Sequence, residues 1–279
     1  MRTDRSPQAK LASMAVTTVV VLGSVLMLAP FYWLIVASTH RSRDIFSNPP
    51  NLQPGDQLWA NLGKLFGEAG FGHAVLNSTL VALLYALFGG IVCTAAGYAF
   101  AKFRFAGQGV LFGMVLVILA LPSQVTLVPL FQIMVQLNWL NTYQALILPN
   151  LALPFGIFLM RQTMLSVPDE LIQAARVDGA GEFRIFFQIV LPTMRPALAA
   201  LGIFLFLAQW NDFVYPLIVL RTSDAYTVPV ALASLQGLSD TDYGQLLAGT
   251  LVSVLPVLGL FLFLQRHFVA GILAGAVKQ

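Results

Sequence analysis

The chain has 279 residues, of which 58% are hydrophobic and only 10% charged, and its mean hydropathy is +0.80. An ordinary soluble domain is about 25% charged, so a water-exposed globule is excluded and an integral membrane protein remains. The net charge of +3 does not point to nucleic acid, because no basic cluster longer than a few residues exists to bind phosphates; the lone Cys93 excludes an intrachain disulfide and a Cys-based metal centre.

A bilayer-crossing helix needs about 20 apolar residues, so stretches free of Asp, Glu, Lys and Arg mark the candidates. The first predicted span covers 13–38. Its apolar run is about twice the 7–15 residues of a signal-peptide core and ends in no A-x-A-like site, so it reads as an uncleaved membrane helix. An outer loop follows, irregular at Pro49, Pro50 and Pro54, with one short helix expected near Trp59–Phe66. The second span is 74–99. The next charge-free stretch, Phe105 to Met160, is about 84 Å long as a helix, far beyond one crossing. The polar patch Gln136, Asn138, Asn141, Thr142 and Gln144 divides it into spans 108–134 and 143–164. Spans 196–220 and 243–265 complete an all-α polytopic membrane protein with six transmembrane helices in one domain, 1–279. With the N-terminus inside, eleven of the 15 Lys and Arg fall on inner segments and four on outer ones, which places both termini in the cytoplasm.

The inner loop 166–192 is the most informative segment. Ser166 followed by Asp169 has the spacing of a capping box, and Pro168 suits a first turn. Asp169 and Glu170 favour the helix macrodipole, and Gly179 supplies the positive φ that ends a helix. A second helix starts near Gly181 and presents Phe183, Phe186, Phe187 and Val190 on one face, with Glu182, Arg184 and Gln188 turned away and Leu191-Pro192 closing it. On helix physics alone this stripe either lies on the bilayer surface or docks a partner.

Here the spacing becomes specific. Gln173-Ala174-Ala175, three residues, Gly179, nine residues, then Ile189-x-Leu191-Pro192 resembles the EAA loop of permease subunits in bacterial ATP-binding-cassette importers. The one departure is Gln173 where that family usually has Glu; Glu170, one turn earlier, is the alternative source of negative charge. Ala99-Phe-Ala-Lys-Phe-Arg-Phe105, Leu140-Asn-Thr-Tyr143 with Leu146-Ile-Leu-Pro149, Trp210-Asn-Asp-Phe213, and the tail from Gln265 to Lys278 are similar to the carbohydrate-uptake branch. The resemblance covers roughly residue 75 to the C-terminus. It implies the type I importer fold, a bacterial inner-membrane location, a second permease subunit, and a solute-binding protein that is periplasmic or lipid-anchored. It also implies an ATPase dimer that holds ATP and magnesium and docks on Glu170, Gln173, Ala174, Ala175, Asp178 and Gly179. The tail from Ala274 to Gln279 resembles one that reaches between the two ATPase subunits.

No enzyme is expected in this chain: its only Gly-Lys, Gly63-Lys64, is followed by Leu65 and cannot be a P-loop, and no cofactor or metal constellation is present. Polar groups inside spans are costly unless partnered, so Asn77, Gln124, Asn150, Trp210, Asn211 and Asp212 are the candidate solute path, with Ser78, Thr126 and Gln209 beside them. Amides suit sugar hydroxyls and Trp210 offers a stacking face; an interhelical hydrogen bond is the plainer role for each. Gly89-Gly90 and Gly109-x-x-x-Gly113 are candidates for close helix approach. The competing class is an ion-driven secondary transporter or channel, which usually holds several intramembrane carboxylates, whereas Asp212 stands alone here.

Overall fold

A computed structural model describes residues 7–237 and 241–276, with side chains over 13–237 and 241–263; the N-terminal Arg2 and Arg5 and the last three residues of the tail, 277–279, lie outside the described residues. All regular structure among them is helical. In chain order come α1 (Pro7–Ser38), α2 (Leu58–Gly67), α3 (Phe71–Lys102) and α4 (Gln108–Ala120). Next are α5 (Ser123–Gln136), α6 (Tyr143–Asn150), α7 (Pro154–Met164), α8 (Asp169–Val177) and α9 (Glu182–Thr193). The last four are α10 (Arg195–Trp210), α11 (Val214–Val219), α12 (Val228–Ser234) and α13 (Tyr243–Ala276).

Helices α1, α3 and α13 are long and apolar enough to cross a bilayer singly. The other three apolar stretches are broken: α4 meets α5 at 102°, α6 meets α7 at 43°, and α9 meets α10 at 83°. The single helix expected over 108–134 is therefore two. Pro122 lacks the N–H that would continue the ladder and holds Leu121 extended at φ −81°, ψ 134°. Likewise the helix expected over 196–220 stops at Trp210 and resumes at Val214. The polar patch between α5 and α6 is a turn with a mechanism. Asn138 takes φ 55°, and the bond from Trp139 N–H to Met134 O closes α5.

The chain divides into two compact units. One comprises 1–69 with 234–252. Helix α1 is exposed along most of its length (Val19 and Leu26 are each 70% exposed), as suits a helix in lipid, and becomes buried at Val36–Thr39. There Asn61 of α2 donates to Ser38 O (2.9 Å) and His40 O (3.0 Å), while Asp242 accepts from Ser42 Oγ (2.7 Å) and Lys64 Nζ (2.9 Å).

The other unit comprises 70–233 with 253–279, and its core is shared by α3, α7 and α10. Close approach uses Gly97, where an added Cβ would lie 2.6 Å from Met160 Cβ, and Gly156, where it would lie 2.7 Å from Cys93 Sγ. An added Cβ at Gly90, Gly109 or Gly113 would meet nothing within 4 Å in this chain, so those expected glycines make no close approach within it; of the four, only Gly89 does, with Leu151 O at 3.4 Å. Lipid-like surroundings offer helices little hydrophobic drive to associate, which makes such tight backbone approach valuable.

Candidate functional site: a built-in helix and a cavity at three helix breaks

Two places in the second unit gather the candidate side chains. The first is α8. Its start is not a capping box: Ser166 Oγ donates back to Thr163 O (2.7 Å), Pro168 takes the cap position, and no side chain caps the helix. Asp169 is drawn away instead by Lys102, whose Nζ lies 2.6 Å from Asp169 Oδ1 and 2.6 Å from Val167 O. That hydrogen bond and charge hold the Asp169 carboxyl below its usual range. The C-terminus is as expected: Gly179 has φ +79°, its N–H donates to Arg176 O (3.0 Å), and Ala180 N–H donates to Ala175 O (2.9 Å), the paired bonds of a Schellman motif.

Ile172 and Ala175 face inward and belong to the same core as α3, α7 and α10. Burying an isoleucine contributes about 1.5–3 kcal/mol, so α8 is built into the fold rather than laid on it. Glu170, Gln173, Ala174, Asp178 and Gly179 are exposed; of the six residues expected to dock a partner, only Ala175 is turned into the core. Val177, 87% exposed, belongs to the outward face and was missed; its position three residues after Ala174 was the available signal.

The stripe on α9 differs from expectation. Ile185–Val190 forms a π-helical turn, and its i→i+5 bonding puts Ile185 and Val190, both fully buried, on one side. Phe183 and Phe187 are left 83% and 59% exposed. Phe186 alone of the three packs inward, its ring centroid 4.9 Å from that of Tyr98. Pro192 does not end the helix, which runs to Thr193 and turns at Met194. Arg176 Nε bonds Glu182 Oε1 at 2.7 Å, joining α8 to α9.

The second place is a cavity of about 450 Å³ where three breaks converge: Ser123–Gln124 after Pro122, Asn150–Leu153 between α6 and α7, and Asn211–Phe213 between α10 and α11. Non-helical backbone at membrane depth is tolerated where it lines a cavity or is buried in protein. Of the candidate path residues, Gln124, Asn150, Asn211 and Asp212 line it, with Thr126 and Gln209 beside them. Tyr85 was missed; it crosses from α3, its hydroxyl donating to Asn150 O at 3.0 Å, and a tyrosine hydroxyl midway along an apolar run was the signal.

Two candidates go elsewhere. Asn77 donates to Asp224 O (2.7 Å) and Tyr226 O (3.1 Å) and accepts from Tyr143 Oη (2.7 Å), so its amide pins the loop before α12. Trp210 is 3% exposed and stacks on Phe206 at 5.6 Å, outside the lining. Ser78 accepts from Val228 N–H (2.7 Å) and is likewise structural.

Comparison with known proteins agrees with this geometry. The family described as "Binding-protein-dependent transport system inner membrane component" matches residues 91–273. The chain is 41% identical over 256 residues to the arabinooligosaccharides transport system permease protein AraQ of Halalkalibacterium halodurans, covering 89% of this chain and 90% of that one. It is 34% identical to the lactose transport system permease protein LacG of Rhizobium radiobacter, covering 94% of each. To the sn-glycerol-3-phosphate transport system permease protein UgpE of Pectobacterium atrosepticum it is also 34% identical, covering 90% of this chain and 92% of the other. Among solved structures, a bacterial ABC transporter involved in import of the acidic polysaccharide alginate superposes with a TM-score of 0.82 over 95% of this chain and 99% of the matched chain. At 19% identity that likeness speaks for the fold. The chain is a multi-pass membrane permease with the ABC-importer fold, and it belongs to the inner-membrane components of binding-protein-dependent transport systems.

Proposed function

We propose that this permease carries a sugar, oligosaccharide or sugar derivative inward by alternating access, driven by a separate ATPase dimer that docks on the outward face of α8. The observation that carries this is the two-sidedness of α8: Glu170, Gln173, Ala174, Val177, Asp178 and Gly179 are exposed while Ile172 and Ala175 are fixed in the core of α3, α7 and α10. A push on such a helix moves the membrane helices with it, because packed cores shift as units rather than deform.

ATP and magnesium belong to the partner subunits in this reading. Both termini are cytoplasmic, a second permease completes the pathway, and a solute-binding protein, periplasmic or lipid-anchored, delivers the substrate. Gln124, Asn150, Asn211 and Asp212 form this chain's share of the path. The relatives named for arabinooligosaccharides and lactose support the carbohydrate class.

Gentle extraction of the tagged chain, followed by mass spectrometry of what co-purifies, tests the assembly. A P-loop ATPase and a second permease are expected. A homo-oligomer without an ATPase would overturn the reading and leave ion-driven transport as the alternative.

A further inference from the structure

We infer that the cavity at the three helix breaks sorts solutes by charge, with Asp212 as its selecting group: it admits neutral or cationic polyhydroxy solutes and rejects anionic ones. This rests on the reading of the cavity as a solute path and adds to it the class of ligand.

The lining decides the sign. Ser123, Gln124, Thr126, Asn150, Gln209 and Asn211 are uncharged donors and acceptors; among the described residues Asp212 is the one carboxylate of the lining, and no Lys, Arg or His joins it. The groups facing Asp212 are the backbone amides of Phe213 and Tyr215 at the start of α11, and it belongs to no ion pair among the described residues. Gln209 is 8% exposed and its Nε2 is buried with no hydrogen-bond partner. A buried donor of this kind costs free energy while it is unpaired, and it lies within the wall of the cavity rather than open to a solute. Tyr85 and Tyr215 also line the cavity, with their rings mostly buried in its wall (3% and 5% exposed). Asp212 is only partly exposed, so an anion beside it is repelled more than by a carboxylate on an open surface. Two importer components similar to this chain are named for acidic solutes, sn-glycerol-3-phosphate and alginate. Among the described residues the lining holds no cation to receive such a solute.

The test needs no knowledge of the natural substrate. Gln124→Cys places a thiol in the lining, and native Cys93, fully buried, serves as the unreactive background. In cells holding the complete transporter, the cysteine is modified by two methanethiosulfonates of similar size, one bearing a trimethylammonium group and one a sulfonate. Relative to a free thiol, the cationic reagent is expected to react at least tenfold faster than the anionic one, a difference of about 1.4 kcal/mol. Adding Asp212→Asn, which keeps the shape and a side-chain acceptor for the two amides, brings that ratio to within about twofold of the free thiol. Equal rates, a ratio unmoved by Asp212→Asn, or a thiol that reacts with neither reagent overturns the inference. ATP-driven sugar uptake is followed in the same cells. Charge sorting with uptake unblocked by the modification would leave the inference standing and reject the cavity as the solute path.

Discussion

Lys102 and Asp169 meet across 67 residues of sequence at 2.6 Å, and the lysine is the hidden partner: its side chain is 5% exposed against 71% for the aspartate. The ammonium also reaches Val167 O, so α3, which carries Tyr85 into the cavity, is fastened to the first turn of α8. The two halves of the pair are unequal. Removing Lys102 leaves a carbonyl of the Val167 peptide without its donor, a loss of about 1–3 kcal/mol. Removing the charge of the solvent-exposed Asp169 breaks an interaction that water already screens. Lys102→Met is therefore expected to lower the melting temperature of the purified complex and to cut uptake more than ATPase activity. Asp169→Asn should leave both near wild type. Equal effects of the two substitutions would mean the carbonyl bond contributes nothing.

Acid should act on this pair in one direction only. The hydrogen bond and charge of Lys102 hold Asp169 below its ordinary value of 3.8. A carboxylate with a depressed folded-state pKa contributes stability that is complete above the unfolded value and lost as pH falls through the folded one. The small gap in melting temperature between wild type and Asp169→Asn is thus expected to be constant from about pH 5 to 8 and to close below about pH 4. A gap that widens as acid is added would show that the sign is wrong.

Gly179 can be tested by conformation alone. Its φ of +79° places it in the left-handed region, and nothing lies within 4 Å of an added Cβ. Gly179→Ala therefore costs only backbone strain, about 1–2 kcal/mol. Gly179→Asn costs less, since asparagine tolerates this region. Proline fixes φ near −65° and removes the N–H that Arg176 O accepts, so Gly179→Pro should abolish uptake while insertion into the membrane persists. Uptake assays ranking the variants Gly, Asn, Ala, Pro from best to worst would support this order; normal transport by Gly179→Pro would refute it.

Much of this was legible because it is local. Charge-free stretches mark the apolar helices, and the spacing of Gln173, Ala174 and Gly179 marks α8 and its end. What was not legible depends on neighbours distant in sequence. Pro122 marks where a helix stops, but a proline alone does not specify the 102° between α4 and α5. The stripe on α9 was read with a period of 3.6, whereas packing of Phe186 against Tyr98 accompanies a π turn that shifts the register and exposes Phe183 and Phe187. Asn77 and Asn150 look alike as polar residues among apolar ones. One meets two loop carbonyls and the other a cavity, and only the fold separates them.

The same dependence on pairing separates glycines that look interchangeable. A methyl at Gly97 would meet both Met160 Cβ at 2.6 Å and the backbone N of Arg161 at 2.9 Å, so α3 and α7 would have to move apart. Gly97→Ala is expected to destabilise by about 1–3 kcal/mol, the cost of overpacking. Gly90→Ala, on the same helix with open space around it, should be neutral or slightly stabilising through helix propensity. Thermal unfolding of the two variants side by side distinguishes packing from propensity; an equal loss in both would remove the close-approach argument.

Asn77 and Gln124 should fail in different ways if structural and path residues have been told apart correctly. Asn77→Ala strands the carbonyls of Asp224 and Tyr226 and the hydroxyl of Tyr143. These bonds are part-buried, so each group that finds neither water nor another partner costs about 1–3 kcal/mol. This variant is expected to melt earlier and accumulate less, while the molecules that do fold keep their KM for uptake. Gln124 is exposed to the cavity, so Gln124→Ala should leave the melting temperature unchanged and shift uptake kinetics several-fold. A KM shift for Asn77→Ala at normal stability would move Asn77 back into the path, and unchanged kinetics for Gln124→Ala would take Gln124 out of it.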